Sequence, residues 1–591
     1  MDDSATSLHT HFGAIRYPSP GQVVLTGRLS GRYSGNRQYL ASVYETREEW
    51  MLEPFRYRGQ DWVLEPLRNK KGESAWAGEY AGKWLDAASL VAASCRDEHL
   101  SQEATAFASA MVAAQDADGY LGIEVPAKRG ETSEYDVWNV RYAMTGLLTH
   151  YEVHQDAASL RAAVRCSEWL IDCFGMPSDS NHPFFRSPEG GGVSVSIIDQ
   201  LVRLYELTRD QKLHEFVSRV ARHFPLIARM RSTGQAPLMH PYIFMGYLGG
   251  IVDMAAVEDR QEDFQWVERV WEDLAGRHLY PTGSLGYNEL LSESAPNDTP
   301  VENGQPARHH QETCATVEWL FLNARLHQAT GGVRYVQAME DTIYNALLAA
   351  QSSDGMQWMY FTPLRYEKRW FTGPTSCCYF SGPRGVARLP QWVYSLDREG
   401  IRLNLYESSD ATLKFEGHSV ALEQSCPYPG CDEVSLRIHP DVPFSFALRL
   451  RIPRWATAIR ITLNGHAIAA EPGPDGYCRI QRKWSVGDQV MLGFDVPAEV
   501  HCFLNDHYGV IRRGPEVLAV DQRDNASLDL DRVVLQEGKA LESTEPADGR
   551  RRYRGEAQAG GQSVSVLFTP YADCGGEGAR FRTAFPLEPS T

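Results

Sequence analysis

Between about residue 80 and residue 350, apolar residues recur with the three-to-four-residue spacing of amphipathic helices. One unit repeats here: a helix with an apolar face, a short polar turn, and a second helix opened by an aromatic residue or a leucine. The opening residues lie 60, 53, 51 and 71 residues apart and are Leu100, Leu160, Leu213, Phe264 and Tyr335. A helical hairpin repeated at this period predicts either an open α-solenoid or a closed ring of hairpins.

Some segments between the hairpins are long, polar and rich in glycine and proline, as residues 175–192 are. Such inserts are typical of loops that gather at one rim of a repeat architecture. We therefore favour a closed (α/α)6 barrel for this region. Five hairpins are visible in the sequence, and we expect the sixth to be less regular.

After about residue 390 the period of the apolar pattern changes to two. Residues 446–455 alternate apolar and charged side chains, as a strand with one buried face does. Residues 458–468 place Asn464-Gly465 between two alternating runs, which is the strongest short signal of a β-hairpin. The rest of the chain is thus predicted to be rich in strands and to form one or two β-sandwiches.

Residues 21–33 also predict a strand, which we expect to dock on the β region. The chain has 591 residues, which is too long for one ordinary core, so several domains are expected. We place an N-terminal strand segment at 1–35, the (α/α)6 barrel at 36–390 and the β-sandwich domain or domains at 391–591.

The formal net charge of −18 argues against a surface for nucleic acid or for an anionic membrane. The first residues carry neither a basic segment nor an apolar run, and no stretch approaches the length of a membrane-spanning helix. We therefore expect a cytoplasmic protein. The 11 cysteines are an odd number spread over a long chain, which does not indicate a disulfide framework. The oligomeric state stays open, with a homodimer as one candidate.

Two short segments carry the candidate chemistry. Glu312 and Cys314 lie two residues apart where an amphipathic helix begins, and Cys377 and Cys378 are adjacent. Residues two apart on a regular helix point in nearly opposite directions, so the first pair converges only if it lies in an irregular turn before the helix. Adjacent cysteines converge only from a kinked loop, for which the surrounding glycines and prolines are suited.

Three thiolates and one carboxylate form a ligand set suited to zinc, which favours sulfur in tetrahedral geometry. The alternative is that the cysteines are buried core residues and that the glutamate only begins a helix. The spacing matches no standard zinc-finger pattern, so the residues alone leave both interpretations open.

The chain resembles glycoside hydrolase family 127, the β-L-arabinofuranosidase-like group, almost from end to end. The specific part is Glu-x-Cys followed by the Cys-Cys pair, and further matching segments support it. They are "AGKWLDAASL", "AAQDADGYLG", "YPTGSLG", "YNALLAAQ", "YFTPL", "RGVARLP", "RIPRWA", "RKWSVGD" and "RRGPEVLAV". The resemblance implies an (α/α)6 barrel with β-sandwich domains behind it, in agreement with the change of period, and a carbohydrate or glycan as substrate.

The resemblance also implies a site and a mechanism. It implies Zn2+ held by Glu312, Cys314, Cys377 and Cys378, with Cys377 as the nucleophile of a retaining glycosidase. The acid/base carboxylate of the family follows the turn at 282–284. Glu293 lies closest to the usual spacing and Glu289 is the alternative, while either could be a solvated loop charge.

Four further residues bear on the sugar pocket. By resemblance His240 and Tyr360 are sugar-binding candidates, although a helix-capping histidine and a core tyrosine are the alternatives. At two positions where characterised members carry pocket histidines this chain has Tyr142 and Ser194, which puts the exact sugar in doubt more than the reaction.

Two other functions compete with this prediction. One is an (α/α)-barrel sugar epimerase or unsaturated-uronide hydrolase, which would use paired histidines or aspartates and would not need zinc. The other is a non-catalytic sugar-binding protein with a structural zinc.

Overall fold

The computed structural model describes residues 15–60, 76–130, 133–185, 192–291, 301–302, 305–306, 309–371, 376–429, 432–469, 471–503, 508–535, 541–544 and 550–587. Within these ranges the helical region contains α1 (Arg28–Arg56), α2 (Glu79–Cys95), α3 (Glu98–Ala113), α4 (Ser133–His154), α5 (Ala157–Phe174), α6 (Ile198–Thr208), α7 (Gln211–His223), α8 (Ile227–Thr233), α9 (Pro241–Glu258), α10 (Gln261–Asp273), α11 (Thr313–Thr330), α12 (Val333–Thr342), α13 (Cys378–Ala387) and α14 (Leu389–Trp392). No helix of the described part is long and apolar enough to cross a membrane.

Six helices form a closed inner ring. In order around it, α2, α4, α6, α9, α11 and α13 each pack against the next, and α13 packs back against α2. A 3-10 turn at Val193–Ile197 leads into α6 and completes its contacts with α4 and α9. The inner helices are buried on nearly every side. In α2, for example, every residue from Glu79 to Ala92 is buried, which is typical of a helix at the centre of a fold. The predicted (α/α)6 barrel is confirmed.

The polar turns of the first three hairpins contain the caps of the outer helices. Asp97, Asp156 and Asp210 each precede an outer helix and accept hydrogen bonds from backbone N–H groups two and three residues later. An aspartate at this position satisfies donors that the first turn of a helix leaves free, and typically contributes about 1 kcal/mol. The repeated turn of the sequence is therefore a repeated N-cap.

The sixth helix pair comes from the two ends of the helical region. The inner member is α13, and the long α1 packs against it from outside. Asn36 Nδ2 donates to the Pro383 carbonyl at 3.1 Å, and Tyr39 Oη donates to the Tyr379 carbonyl at 3.1 Å. The two helices are far apart in the sequence, so the hairpin period cannot show this pair.

The described strands are β1 (Val23–Leu25), β2 (Val301–Glu302), β3 (Gln305–Pro306), β4 (Arg365–Tyr366), β5 (Tyr394–Leu396), β6 (Gly400–Leu403), β7 (Ser409–Phe415), β8 (His418–Ser425), β9 (Glu433–Pro440), β10 (Phe444–Arg451), β11 (Thr457–Leu463), β12 (His466–Ile468), β13 (Tyr477–Trp484), β14 (Asp488–Asp495), β15 (Ala498–Phe503), β16 (Tyr508–Arg513), β17 (Glu516–Asp521), β18 (Val533–Val534), β19 (Glu542–Thr544), β20 (Arg552–Ala559), β21 (Gln562–Pro570), β22 (Phe581–Arg582) and β23 (Phe585–Pro586).

Two sheets follow the barrel and share its hydrophobic core. One has the order β1-β7-β8-β9-β14-β11-β12 and the other β13-β10-β6-β5. They face each other, as the rings of Phe415 and Phe446 show with centroids 6.1 Å apart. The predicted hairpin at Asn464-Gly465 joins β11 to β12, with positive φ at both residues. A third sheet, built mainly from β15-β16-β17-β21-β20-β18, has cores of its own.

The predicted N-terminal strand is much shorter than residues 21–33. Only β1 is extended, and it pairs antiparallel with β7 of the first sheet. From Arg28 the chain is helical, so the domain boundary predicted at residue 35 falls inside α1. Buried residues in α1 recur at Leu29, Tyr33, Asn36 and Leu40, which is the helical period, and this longer pattern outweighs the short alternation at its start.

Candidate active site

The N-terminal ends of the inner helices carry the predicted site residues. His240 is the N-cap of α9, Glu312 is the N-cap of α11 and Cys377 is the N-cap of α13. Cys314 and Cys378 lie within the first turns of α11 and α13. Helix N-termini present free N–H groups and a partial positive charge, which favours carboxylates and thiolates.

Glu312 and Cys314 come close to Cys377 and Cys378 through a local geometry that the sequence did not predict. The helix begins at Thr313, earlier than predicted, so Cys314 is already helical. Glu312 is the extended cap residue, with φ −55° and ψ 133°, and its side chain therefore leaves the backbone in a direction that a helical residue does not use. Cys377 and Cys378 likewise begin a helix rather than lie in a kinked loop.

Four ligand atoms lie within 4.8 Å of one another. The Sγ atoms of Cys314 and Cys378 are 3.4 Å apart, and those of Cys377 and Cys378 are 3.9 Å apart. Glu312 Oε1 lies 3.6 Å from the Cys378 sulfur and 3.9 Å from the Cys377 sulfur. The structure thus brings together all four residues that the resemblance implied as ligands.

These distances suit a tetrahedral zinc ion. A disulfide would need about 2.05 Å between sulfurs. Four ligands around zinc, with Zn–S bonds of about 2.3 Å, place neighbouring sulfurs roughly 3.8 Å apart. Glu312 Oε2 is buried without a hydrogen-bond partner, and Cys314 and Cys378 are fully buried. A buried group of thiols and a carboxylate is costly when no cation offsets it, so the residues fit the metal.

Cys377 differs from the other two thiols. It is only partly buried, and hydrogen bonding with Cys314 and Cys378, together with the nearby Lys83 ammonium, lowers the pKa of its thiol. Burial raises the pKa of the other two. Cys377 is therefore the sulfur that is most easily ionised and most accessible.

Tyr360 links Cys377 to a carboxylate. Its hydroxyl lies 3.9 Å from the Cys377 sulfur and donates a short hydrogen bond to Glu289 Oε1. Ligand atoms of Glu289, His240 and Glu312 also lie within 4.8 Å of one another. Glu293, the other acid/base candidate, lies outside the described residues.

Glu289 sits in a strained turn. Tyr287 and Leu290 exchange backbone hydrogen bonds of 3.0 Å in both directions, and the two residues between them have φ of 48° and 63°. Positive φ at both central positions defines a type I′ hairpin turn, which prefers glycine at the place that Glu289 occupies. A non-glycine residue held there typically costs about 1–3 kcal/mol, and such strain concentrates at functional sites.

His240 does not cap its helix with its side chain. Its Nε2 atom lies 3.7 Å from Glu312 Oε2, and its Nδ1 atom is buried without a hydrogen-bond partner. Burial lowers the pKa of the ring to about 4, so the imidazole is neutral at neutral pH. The ring can therefore both donate and accept a hydrogen bond.

The hydroxyls of Tyr142 and Ser194 are committed to the protein. The Tyr142 hydroxyl contacts that of Tyr242 and accepts a 2.8 Å hydrogen bond from Arg141 Nη1. Ser194 Oγ donates to the Phe184 carbonyl at 2.5 Å. Ser194 has therefore used its one hydroxyl donor, and the Tyr142 hydroxyl already has two protein partners.

Sequence reasoning missed two charged residues near the thiols. Glu79 is the first residue of α2 and Lys83 follows one turn later, and both are almost completely buried. The available signal was a pair of opposite charges four residues apart in a helix that is otherwise mostly apolar.

Comparison with known proteins identifies two matching family models. Residues 29–391 match the model described as β-L-arabinofuranosidase, GH127 catalytic domain. Residues 400–496 match the GH127 middle domain of the same enzymes. The first match alone covers more than half of the chain.

Individual relatives are distant in sequence and similar in fold. A non-reducing end β-L-arabinofuranosidase of Bifidobacterium longum subsp. longum is 22% identical over 511 residues, covering 75% of each chain. A solved GH127 β-arabinofuranosidase has a TM-score of 0.83 at 20% identity and covers 98% of this chain and 99% of its own. A GH127 β-L-arabinofuranosidase from Geobacillus stearothermophilus T6 has a TM-score of 0.80 at 20% identity, covering 96% and 100%.

Proposed function

The chain belongs to glycoside hydrolase family 127, and we propose that it is a zinc-dependent, retaining glycosidase that removes β-L-arabinofuranosyl residues from glycans. One observation carries the proposal. The Cys377 sulfur lies within 4.8 Å of three candidate metal ligands and 3.9 Å from the hydroxyl of Tyr360, which is hydrogen-bonded to Glu289. A nucleophile and a carboxylate are thereby held next to each other, as glycoside hydrolysis requires.

In this proposal Glu312, Cys314, Cys377 and Cys378 hold the zinc ion. When bound, zinc keeps its thiol ligands deprotonated at neutral pH, where a free thiol with a pKa near 8.5 is mostly protonated. The helix N-termini at Glu312 and Cys377 favour the same anionic forms.

The first step uses Cys377 and Glu289. The Cys377 thiolate attacks the anomeric carbon, and the bond from that carbon to the leaving oxygen breaks as Glu289 donates its proton to the oxygen. In the second step the Glu289 carboxylate takes a proton from water, and the water oxygen displaces the sulfur from the anomeric carbon. Two inversions give net retention.

Tyr360 and His240 orient the reacting groups. The Tyr360 hydroxyl holds Glu289 through its hydrogen bond and faces the Cys377 sulfur. The neutral His240 ring, with Nδ1 uncommitted, is placed to bind a sugar hydroxyl beside Glu312.

A panel of nitrophenyl furanosides and pyranosides tests the proposed function. We expect the β-L-arabinofuranoside to be cleaved fastest, with the β anomer as the first product observed by NMR. Initial release of the α anomer would contradict retention. Binding without cleavage in zinc-loaded protein would instead support the non-catalytic alternative, and full activity after removal of zinc would favour epimerase-like or uronide-hydrolase chemistry.

Glu289→Gly is expected to stabilise the fold while removing activity. Glycine relieves the strain of the type I′ turn, so the free energy of unfolding should rise by about 1 kcal/mol. Loss of the acid/base group should lower kcat/KM by roughly 10²–10⁴-fold. Denaturant titration and steady-state kinetics measure the two effects.

A second variant, Glu289→Gln, tests the acid role directly, and Glu293→Gln is its matched control. If Glu289 is the acid, Glu289→Gln should impair cleavage of a methyl glycoside far more than that of a nitrophenyl glycoside, because nitrophenolate needs little protonation. Azide should restore turnover of the nitrophenyl substrate by replacing water without a base. The same pattern in Glu293→Gln, with normal kinetics for Glu289→Gln, would assign the acid to Glu293.

His240→Ala and Tyr360→Phe are each expected to lower kcat/KM by roughly 10–100-fold without loss of zinc, because each residue orients groups rather than binds metal. Tyr335→Phe is the control, since its hydroxyl contacts Glu268 on an outer helix. Wild-type kinetics in both site variants would exclude these residues from the pocket.

A further inference from the structure

Glu79 and Lys83 lie at the same end of the barrel as the candidate site. Glu79 is the first residue of α2, just as Glu312 and Cys377 stand at the starts of α11 and α13. Glu79 is 2% exposed and Lys83 is 0% exposed, and Lys83 Nζ lies 2.8 Å from Glu79 Oε2. Two opposite charges are thus buried one helical turn apart beside the thiols.

Glu79 and Lys83 are held in place by protein contacts, but these contacts leave some of their hydrogen-bonding groups without a partner. Trp138 Nε1 donates to Glu79 Oε2 at 3.0 Å, so both protein contacts of this carboxylate fall on one oxygen. Within the described part of the chain, Glu79 Oε1 has no hydrogen-bond partner. The Lys83 ammonium pairs with Glu79 as an ion but forms no well-aligned hydrogen bond. An acceptor oxygen and N–H donors therefore remain available.

Aromatic rings fix the position of Lys83. Its Nζ atom lies 4.6 Å from the centre of the Tyr142 ring and 5.0 Å from that of Tyr242. Tyr242 is close in turn to His240, with ring centroids 6.1 Å apart. Contacts of this kind orient an ammonium group while leaving its hydrogen-bond donors uncommitted. Tyr242 therefore lies next to both Lys83 and His240.

The pair is also close to the candidate nucleophile. Helix α2 packs against α13, and the rings of Tyr80 and Phe380 stack there at 5.0 Å. Tyr80 directly follows Glu79 and Phe380 lies two residues after Cys378, so this stack places the starts of the two helices side by side. A sugar placed with its anomeric carbon at Cys377 would therefore lie beside Glu79 and Lys83.

A buried ion pair is weak evidence for stability, because the cost of removing two charges from water can exceed their attraction. The hydroxyls of Tyr142 and Ser194 are already bonded to the protein. We propose that Glu79 and Lys83 bind two neighbouring hydroxyl groups of the sugar held at Cys377. One hydroxyl donates to Glu79 Oε1, and the next accepts from the Lys83 ammonium. This inference rests on the proposed function. The two contacts make the pocket selective for a sugar with two free neighbouring hydroxyl groups.

The test measures each enzyme variant on each substrate analogue, so that the loss from changing the residue can be compared with the loss from removing the hydroxyl. Glu79→Gln and Lys83→Met are combined with nitrophenyl β-L-arabinofuranoside and with its 2-deoxy and 3-deoxy forms. Wild-type enzyme should lose roughly 10–100-fold in kcat/KM when a recognised hydroxyl is removed, which is the effect of losing one hydrogen bond to a charged group. Each variant should lose a similar factor on the parent substrate and little more on the corresponding deoxy analogue.

Asp86→Asn is the matched control. Asp86 lies seven residues after Glu79 on the same helix, is equally buried and pairs with Arg384 and Arg388. This variant should lower Tm but keep the wild-type discrimination between parent and deoxy substrates. Zinc content should stay the same in every variant. Wild-type discrimination in both Glu79→Gln and Lys83→Met would overturn the proposal.

Wild-type kinetics on the deoxy substrates tests the proposal even if a variant does not fold, and calorimetry with free sugars tests it even if the proposed function is wrong. Wild-type enzyme that cleaves deoxy and parent substrates equally would overturn the proposal without any variant. If no arabinofuranoside is cleaved, calorimetry with free pentoses and hexoses replaces kinetics. Binding at least 10-fold weaker in Glu79→Gln and Lys83→Met would support the pair. Equal affinity, or no sugar bound by wild-type protein, would overturn it.

Discussion

Cys377→Ser is expected to lower kcat on nitrophenyl β-L-arabinofuranoside by roughly 10⁵-fold or more, as loss of a covalent nucleophile does. Serine is far less ionised than cysteine at neutral pH and is a poor ligand for zinc, so attack and metal geometry fail together. Cys166→Ser is the control, because Cys166 is a buried thiol away from the site. Steady-state kinetics on the zinc-loaded proteins measures the difference.

A covalent label separates Cys377 from its neighbour. An arabinofuranoside carrying a reactive electrophile at the anomeric carbon should modify Cys377 alone, which peptide mass spectrometry across residues 376–384 can establish. Cys377 is the partly buried member of the pair, whereas Cys378 is fully buried. Label on Cys378 or on a glutamate would contradict the proposed mechanism.

Removal of zinc is expected to have the second-largest effect. The purified protein should contain about one zinc ion per chain, and Cys314→Ser and Cys378→Ser should lose it, as measured by elemental analysis. Tm should fall by several degrees at the same time, because binding at a closed site contributes directly to folding free energy. Activity should be lost with the metal, since the four side chains then lack the cation proposed to offset their charges and to fix the position of the Cys377 sulfur.

Cys574→Ser is the control for these variants, since its thiol is buried in the C-terminal β region and donates weakly to backbone carbonyls. It should keep both zinc and activity. Full zinc occupancy in Cys314→Ser and Cys378→Ser would exclude the proposed ligand set.

The architecture was largely predictable because helices and strands differ in the spacing of apolar residues along the chain. The hairpin repeat predicted the barrel, and the change to a period of two predicted the β region that follows. The sixth helix pair was not visible, because α1 and α13 belong to opposite ends of the helical region. The strand predicted at residues 21–33 was mostly wrong, since a short alternation competed with the helical pattern of α1.

The residue types alone left the metal cluster open, and the family resemblance implied which four residues would come together, but neither gave the geometry. Glu312, Cys314, Cys377 and Cys378 could be picked out because cysteines and a carboxylate in this order are uncommon, whereas the helix ends that bring them together depend on tertiary packing. The choice between Glu289 and Glu293 stays a prediction, because Glu293 lies outside the described residues. Glu79 and Lys83 could not be distinguished from an ordinary i,i+4 pair until their burial was known.

Closure of the ring by α1 and α13 has a consequence for biosynthesis. Helix α1 is made first, yet α13, one of the helices against which it packs, is completed only after roughly 330 further residues, and at about 5–20 residues per second this takes tens of seconds. During that time the apolar face of α1 lacks its final partner. The Cys-Cys pair lies on the helix that completes the ring, so we expect the nascent chain to acquire metal only after the barrel has been synthesised.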